Sequence, residues 1–240
     1  IHIWQSAAAI LFLLLASSVY LSTVGTKAET DLLQQYIPIA EMRSLTRPDG
    51  TKVQLNSKST LLYPHEFTGD SRSVFLLGEA NFKVKPDKKR PFIVKSNDLQ
   101  ITALGTEFNV SAYPESQEIA TTLISGSIRV DYNNLTTSVI LHPNEQFAYN
   151  RNNKKYDLSN PDMDDVTAWQ RGELVLQKMT LTDIINVLER KYPYAFVSPR
   201  VWRGSDADIP PPFRRIFCSA VLAQSEVLPD SAVSLSWDLH

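Results

Sequence analysis

Short runs of apolar and β-branched residues, separated by turn residues, dominate the chain between residues 41 and 150. Runs such as STLLYP, PFIVKS, LQITAL and TTSVILHP alternate with Gly, Pro, Asn or Asp at intervals of roughly ten residues, the spacing of an antiparallel sandwich or barrel. A hairpin turn is predicted at Asp49-Gly50, because Gly supplies a positive φ at little steric cost. The pattern predicts a mainly β fold with a jelly-roll-like β-sandwich over residues 41–152.

Two nearly identical phrases, GEANFKV and LGTEFNV, lie inside this β region. In each phrase a glycine precedes a Phe and a Val that are two residues apart. Residues two apart share one face of a strand, and Gly readily forms a turn. We therefore interpret each phrase as a turn that leads into a strand. Four side chains are expected to pack into one core: Phe82, Val84, Phe108 and Val110.

The N-terminal segment contains no Asp, Glu, Lys or Arg before Lys27. About 20 apolar residues span the roughly 30 Å hydrocarbon core of a bilayer, so residues 1–26 are interpreted as a single transmembrane helix centred on residues 4–24. The alternative is a secretory signal peptide, whose basic region would precede Ile1. Residues 27–40 are predicted to be a juxtamembrane linker.

A different pattern begins after a polar, turn-rich linker near residue 150. Gly172 to Gln177 is predicted to form a strand. Thr180 and Asp183 then form a capping-box-like pair, and the following apolar residues recur at helical spacing. Tyr192 to Val197 is predicted to form the next strand. This β-α-β pattern predicts a partial α/β domain over residues 165–200.

The last segment, residues 201–240, contains three consecutive prolines and no clear periodicity. One β-α-β unit is a thin core by itself and would require a second unit. Two interpretations stay open: the terminus is altered from about Ser198 onward, or the segment is a disordered tail.

Composition and motifs argue against several function classes. The net charge of −2 is not that of a typical nucleic-acid binder, and one cysteine with four dispersed histidines predicts neither a disulfide nor a metal site. No nucleophile elbow or phosphate-binding glycine loop occurs, and nothing places Glu79 and Glu107 at a glycosidase separation, so we expect no enzyme and no cofactor. The basic stretch at residues 85–91 is interpreted as a solvated loop, with a membrane-surface or partner contact as the alternative.

The order and spacing of the β motifs resemble the periplasmic domain of FecR-type anti-sigma regulators. The resemblance extends through the segment W..GELVLQKMTLTDIINVLERKY, which is similar to the short secretin/TonB-type α/β domain of Bacteroidetes members. The structural positions that carry it include Asp49, Gly50, Gly78, Glu79, Phe82, Gly105, Thr106, Phe108, Gly126 and Trp169. Relative to that pattern the chain is interpreted as N-terminally truncated, with an atypical C-terminus.

The resemblance implies a single-pass inner-membrane protein with a periplasmic C-terminal domain. Such a regulator relays the ligand-bound state of an outer-membrane TonB-dependent receptor to an extracytoplasmic-function sigma factor, and so controls the transcription of uptake genes. It implies sigma-factor binding through a cytoplasmic region that is missing here. The expected partners are the receptor's signalling domain, the sigma factor and membrane lipid, and no nucleic acid.

The receptor is expected to bind an exposed strand edge of the α/β unit by β-strand addition. The candidate partner-binding residues are Leu174, Val175, Leu176, Tyr194 and Phe196. The alternative function is a membrane-anchored periplasmic carbohydrate-binding module, in which exposed aromatic rings would stack on sugars. Its candidate residues are Tyr63, Phe67 and Tyr113.

Overall fold

The computed structural model describes residues 10–19, 32–176 and 179–193. The chain divides into two compact units, Ile1–Leu32 and Leu33–His240. In the first unit, residues 10–19 form helix α1, and all of their side chains are exposed. No helix within the described ranges is both long enough and apolar enough to cross a bilayer. The remainder of the span predicted over residues 4–24 lies outside the described residues.

The second unit is mainly β, which confirms the predicted fold class in its coarse form. Its described part contains thirteen strands. Their bounds are β1 Leu32–Tyr36, β2 Arg43–Thr46, β3 Lys52–Leu55, β4 Thr60–Pro64, β5 Arg72–Lys83, β6 Phe92–Ser96, β7 Leu99–Ala103, β8 Glu107–Ala112, β9 Glu118–Ser125, β10 Ile128–Tyr132, β11 Thr137–Leu141, β12 Gln146–Asn150 and β13 Tyr156–Ser159. They are followed by helix α2 (Met163–Thr167), a 3-10 turn (Ala168–Arg171) and helix α3 (Leu181–Lys191).

One curled sheet supplies both layers of the sandwich. The first layer has the order β1-β4-β5-β6-β7-β10-β11, and the second has the order β2-β3-β5-β8-β9-β12-β13. Apart from the parallel pair β5–β6, the pairs whose register is defined are antiparallel. From β6 onward, the hairpins β6–β7, β8–β9, β10–β11 and β12–β13 alternate between the two layers. Thirteen strands in one curled sheet differ from the eight strands of a jelly roll.

Strand β5 joins the two layers, and Gly78 is the corner. Residues before Gly78 pair with β4 and β6, whereas Gly78 to Lys83 pair with β8. The φ of Gly78 is +104°, and a Cβ there would lie 2.4 Å from the Ser59 Oγ atom and 2.6 Å from the Ser59 Cα atom. Only glycine combines that backbone conformation with so close a neighbour.

The two repeated phrases are neighbouring strands. Phe82 on β5 lies opposite Phe108 on β8, and their rings stack with centroids 5.3 Å apart. These two residues, together with Val84 and Val110, are buried in one core, as predicted. The predicted turn at Gly105 is present, but the one at Gly78 is wrong, because Gly78 lies inside the continuous strand β5.

The sandwich extends beyond the predicted limits of residues 41–152. Strand β1 lies in the predicted juxtamembrane linker, and β13 lies in the predicted polar linker. Each adds to a sheet edge, β1 to β4 and β13 to β12. Tyr156 of β13 also packs against Phe147 and Tyr132, with ring centroids 5.0 and 5.2 Å apart. Pairing and packing outweigh the polar composition of both segments.

The C-terminal segment differs in part from the predicted β-α-β order. Helix α3 is confirmed, and the Thr180 side chain accepts a hydrogen bond from the Asp183 N–H as predicted. The strand predicted from Gly172 is not formed over its described part, residues 172–176. Gly172 instead ends the 3-10 turn in a left-handed conformation, and the Glu173 N–H bonds back to Ala168. Most of the second predicted strand lies outside the described residues.

Candidate functional site

The outer face of the second layer is covered by the C-terminal segment, and a cavity of about 280 Å³ lies between them. Two polar residues of this face are almost fully buried: Asn109 is 4% exposed and Thr122 is 2% exposed. Sheet residues that line the cavity include Asn56, Glu79, Asn109, Thr122 and Gln146. The C-terminal segment contributes Ala168, Trp169, Leu174, Val175, Val187 and Arg190, among others.

Glu79 lies at the polar floor of this cavity, directly after the Gly78 corner. Its Oε2 atom accepts a hydrogen bond from Asn56 Nδ2 at 2.8 Å, and its Oε1 atom accepts one from Asn109 Nδ2 at 3.0 Å. Burial raises the pKa of Glu79, and the two amide hydrogen bonds oppose that shift. The carboxylate is therefore held in place by its amide partners at a cost in desolvation.

The Asn109 amide connects the sandwich to the C-terminal segment. Its nitrogen donates to Glu79, and its Oδ1 atom accepts a hydrogen bond of 3.3 Å from Trp169 Nε1. Trp169 occupies the 3-10 turn that follows α2. A chain of side-chain hydrogen bonds thus runs from Asn56, directly after β3, through Glu79 of β5 and Asn109 of β8 to Trp169 of the C-terminal segment.

Arg190 near the end of α3 makes a second attachment. Its guanidinium carbon lies 3.8 Å from the centroid of the Tyr113 ring, and Nη1 pairs with Glu115 Oε1 at 2.8 Å. The Tyr113 hydroxyl donates to the Ser57 carbonyl at 2.9 Å, and burial raises the pKa of Tyr113. The Arg190 carbonyl also accepts from the Ala40 N–H at 3.1 Å. We refer to the contacts of Arg190 with Tyr113 and Glu115 as the Arg190 clamp.

The predicted turn at Asp49-Gly50 is anchored by a buried ion pair. Arg72 Nη1 lies 2.8 Å from Asp49 Oδ2, and Arg72 also donates to the backbone carbonyls of Lys85 and Arg90. The Arg72 side chain is 1% exposed. Burial alone would raise the pKa of Asp49, but the hydrogen bonds that Asp49 accepts from Arg72 and Thr51 hold that pKa below its ordinary value. This pair fixes one end of the sandwich and takes no part in the cavity.

The predicted partner-binding residues fall into two groups. Leu174 and Val175 line the cavity and, like Leu176, are half-buried. Tyr194 and Phe196 lie outside the described residues. The sequence analysis missed the bridging role of Asn109 and the Arg190 clamp. A carboxylate at position 79, directly after the run VFLLG and before Ala80, was the signal that could have indicated a buried polar contact.

The aromatic residues considered for sugar stacking are not free platforms. Tyr63 is 9% exposed and its ring is covered by the Arg47 guanidinium at 3.6 Å, while Tyr113 is 2% exposed under Arg190. Phe67 is half-buried against the core.

The two glutamates considered as a glycosidase pair have other partners: Glu79 accepts hydrogen bonds from two amides, and Glu107 pairs with Lys83. Within the described ranges, no group of His, Cys, Asp and Glu could hold a metal ion.

The family model described as FecR protein matches residues 37–129. Two crystal structures of predicted anti-sigma factors from Parabacteroides distasonis are also similar. The structure at 1.65 Å resolution is 37% identical, with a TM-score of 0.64, and the match covers 67% of this chain and 75% of that chain. The structure at 2.50 Å resolution is 36% identical, with a TM-score of 0.68, and the match covers 73% and 82%. No curated protein matches the chain.

The chain belongs to the FecR family of anti-sigma regulators. Membership indicates a regulatory, non-enzymatic kind of protein that interacts with a sigma factor. The FecR-matched residues include one side of the cavity, with Glu79 and Asn109. Trp169 and Arg190 follow the matched region, so the cavity joins the FecR domain to the segment after it.

Proposed function

We propose that this FecR-family chain is the sensor part of a single-pass inner-membrane anti-sigma factor. It relays the ligand-bound state of an outer-membrane TonB-dependent receptor to an extracytoplasmic-function sigma factor. The observation that carries the proposal is the similarity at 36–37% identity to predicted anti-sigma factors over most of their length. The apolar N-terminal segment supports a membrane anchor, with the described domain on the periplasmic side.

The attachment of the C-terminal segment to the FecR domain supports a relay. A relay needs an element with two arrangements whose equilibrium a partner can bias. The contact combines a few hydrogen bonds, one ion pair and a cavity of about 280 Å³, so it is less closely packed than the sandwich core. A receptor that binds the C-terminal segment would alter the hydrogen bond between Trp169 and Asn109 and the Arg190 clamp. It would thereby change the contacts made by the outer face of the second layer of the FecR domain.

The receptor's signalling domain is proposed to bind at residues 173–176. These residues are in no strand, and the Glu173 N–H is already bonded to the Ala168 carbonyl, so an added receptor strand would supply main-chain partners to the N–H and C=O groups of residues 174–176. Proline removes one N–H donor, so Val175→Pro should abolish binding. Val175→Ala shortens the side chain more than Val175→Pro does but keeps the N–H donor, and so it is the control for loss of side-chain contacts.

The test is binding of the full chain to the signalling domain of a TonB-dependent receptor encoded beside its gene. Calorimetry would give the affinity of the wild-type chain and of both variants, with thermal unfolding as the check on folding. We expect the Ala variant to bind and the Pro variant to fail. Equal binding by both variants would refute strand addition at this segment, and absence of binding by the wild-type chain would refute the receptor relay.

A further inference from the structure

The basic loop between β5 and β6 is held in a fixed shape that displays its charges. Four exposed basic residues, Lys85, Lys88, Lys89 and Arg90, surround one acid, Asp87. The Asp87 N–H donates to the Leu104 carbonyl at 3.0 Å, and Asp87 Oδ1 accepts from the N–H groups of Lys89 and Arg90. The loop is therefore anchored by its own acid, and its lysines project from an ordered backbone.

The three lysines of this loop are not neutralised within the described part of the chain. No described carboxylate lies within 4.0 Å of the ammonium of Lys85, Lys88 or Lys89, whereas Arg90 pairs with Asp87 at 3.0 Å. Leu104, to which the loop is bonded, is 48% exposed. An exposed apolar residue beside unpaired lysines has the chemistry of a lipid-facing surface, in which Lys contacts head groups and Leu contacts the acyl boundary.

This loop lies at the same end of the sandwich as the start of β1. Hydrogen bonds from Ile37 N to Ser59 O and from Lys58 N to Pro38 O show that β1 runs antiparallel to β4. Leu33, near the start of β1, therefore lies toward the Pro64 end of β4.

One contact connects the chain just after that end of β4 to the basic loop: Arg90 Nη1 donates to the Phe67 carbonyl at 3.3 Å. A second connection runs through the Asp49-Gly50 turn, because Arg47 Nη2 donates to the Pro64 carbonyl at 2.9 Å and the Lys85 N–H donates to Thr51 Oγ1 at 3.2 Å. Of the acids near this end, Asp49 is held by Arg72 and Glu107 by Lys83, whereas Glu66 and Asp70, within three residues of Phe67, are exposed. The three free lysines of the loop outnumber these two exposed acids.

The length of the preceding chain places a membrane within reach of this end. Only residues 25–31 separate the apolar span predicted over residues 4–24 from β1. The eight steps from residue 24 to residue 32 extend at most about 29 Å. Anionic lipid head groups attract juxtamembrane basic clusters over roughly a Debye length.

We propose that the basic loop at residues 85–91, with Leu104, binds the anionic phospholipid head groups of the membrane that anchors the chain. This rests on the membrane location in the proposed function. The contact orients the sandwich with the β1 end toward the bilayer. The Gly78 corner and the cavity with its C-terminal segment are then left accessible to a partner from the opposite side.

The test uses the full chain with Cys218→Ser and a fluorescent label on Leu104→Cys. The matched control carries the label on Asn152→Cys, an exposed turn residue at the other end of the sandwich. Chains are mixed with vesicles of phosphatidylcholine alone, or with about one third phosphatidylglycerol, and quenching by neutral acrylamide is measured. We expect protection only at position 104, only with anionic lipid, and reversal at about 0.5 M salt.

A charge-removed variant, Lys85→Gln with Lys88→Gln and Lys89→Gln, should lose this protection. Its partition onto anionic vesicles should weaken by about one hundredfold, or about fivefold per charge. Protection that is equal on both lipids, or unchanged in the variant, would overturn the proposal. Protection that arises without vesicles, when receptor signalling domain is added, would assign the loop to a protein partner instead and would also overturn it.

Vesicle flotation separates this proposal from the membrane anchor. A chain that floats with pure phosphatidylcholine vesicles has an anchor that does not depend on charge. If the chain floats only with anionic vesicles, and the charge-removed variant does not float, then the lipid contact stands and the anchor fails. If the chain floats with both kinds but position 104 stays fully quenched, the anchor stands and the lipid contact fails.

Discussion

The substitution Gly78→Ala should strongly destabilise the sandwich, because Gly78 is the corner at which β5 passes from one layer to the other. A non-glycine residue at φ +104° costs about 1–3 kcal/mol. The new Cβ would also lie 2.6 Å from the Ser59 Cα atom, which is backbone and cannot rotate away. Such overpacking costs about 1–3 kcal/mol, and the lower entropy of the unfolded chain returns about 0.4–1 kcal/mol. The expected net loss is therefore about 1–6 kcal/mol.

Urea unfolding of the full chain, followed by far-UV circular dichroism, measures this loss. Gly69→Ala is the matched control, because no heavy atom lies within 4 Å of its new Cβ and its φ is not positive. That variant should be unchanged or more stable by about 0.4–1 kcal/mol. Adding Ser59→Gly to Gly78→Ala should restore little of the loss, since the Ser59 Cα atom and the positive φ remain and the Glu79 N–H loses its Ser59 Oγ acceptor. A loss below about 1 kcal/mol for Gly78→Ala would refute the assignment of this corner.

Three further predictions concern the charged groups. Asp49→Asn leaves the buried Arg72 without its carboxylate, so we expect a loss of about 3–5 kcal/mol in urea unfolding; a loss under 1 kcal/mol would contradict a buried pair. Burial raises the pKa of Glu79 above its unfolded value of 4.5, so its contribution to stability declines as pH rises through the folded pKa. In a pH series of unfolding midpoints, Glu79→Gln should remove that decline, and parallel curves would contradict it. Arg190→Gln breaks the clamp on Tyr113, and hydrogen exchange should become faster in α3 while the core strands stay protected; unchanged exchange in α3 would show that the clamp does not hold the helix.

The sandwich was largely predictable because its signals are local. Alternation of apolar residues identified Phe82 and Phe108 as core, and Asp49-Gly50 identified a hairpin. The sequence could not show that the two glycine phrases would pair with each other, because strand register depends on contacts far apart in the chain. It also misplaced Gly78 in a turn, since a corner inside a continuous strand leaves the alternation of its neighbours unchanged.

The candidate site was much less predictable. Glu79 and Phe82 lie in one short phrase, but the hydrogen-bond partners of Glu79 come from positions 56 and 109, and Trp169 in turn bonds to Asn109. These residues are too far apart in the sequence for a local pattern to indicate that they are in contact. The strand from Gly172 was predicted from its apolar residues, of which Leu174 and Val175 instead line the cavity. A half-buried run of apolar residues indicates burial but not whether a neighbouring strand exists to pair with it.

The most direct test of the account is the set of proteins that copurify with the full protein expressed from its own gene. Affinity capture from detergent-solubilised membranes, followed by mass spectrometry, would be made with and without the receptor's ligand. The account predicts an extracytoplasmic-function sigma factor in the unliganded sample and the TonB-dependent receptor in the liganded one. Capture from membranes with no sigma factor under either condition would contradict the proposed anti-sigma relay.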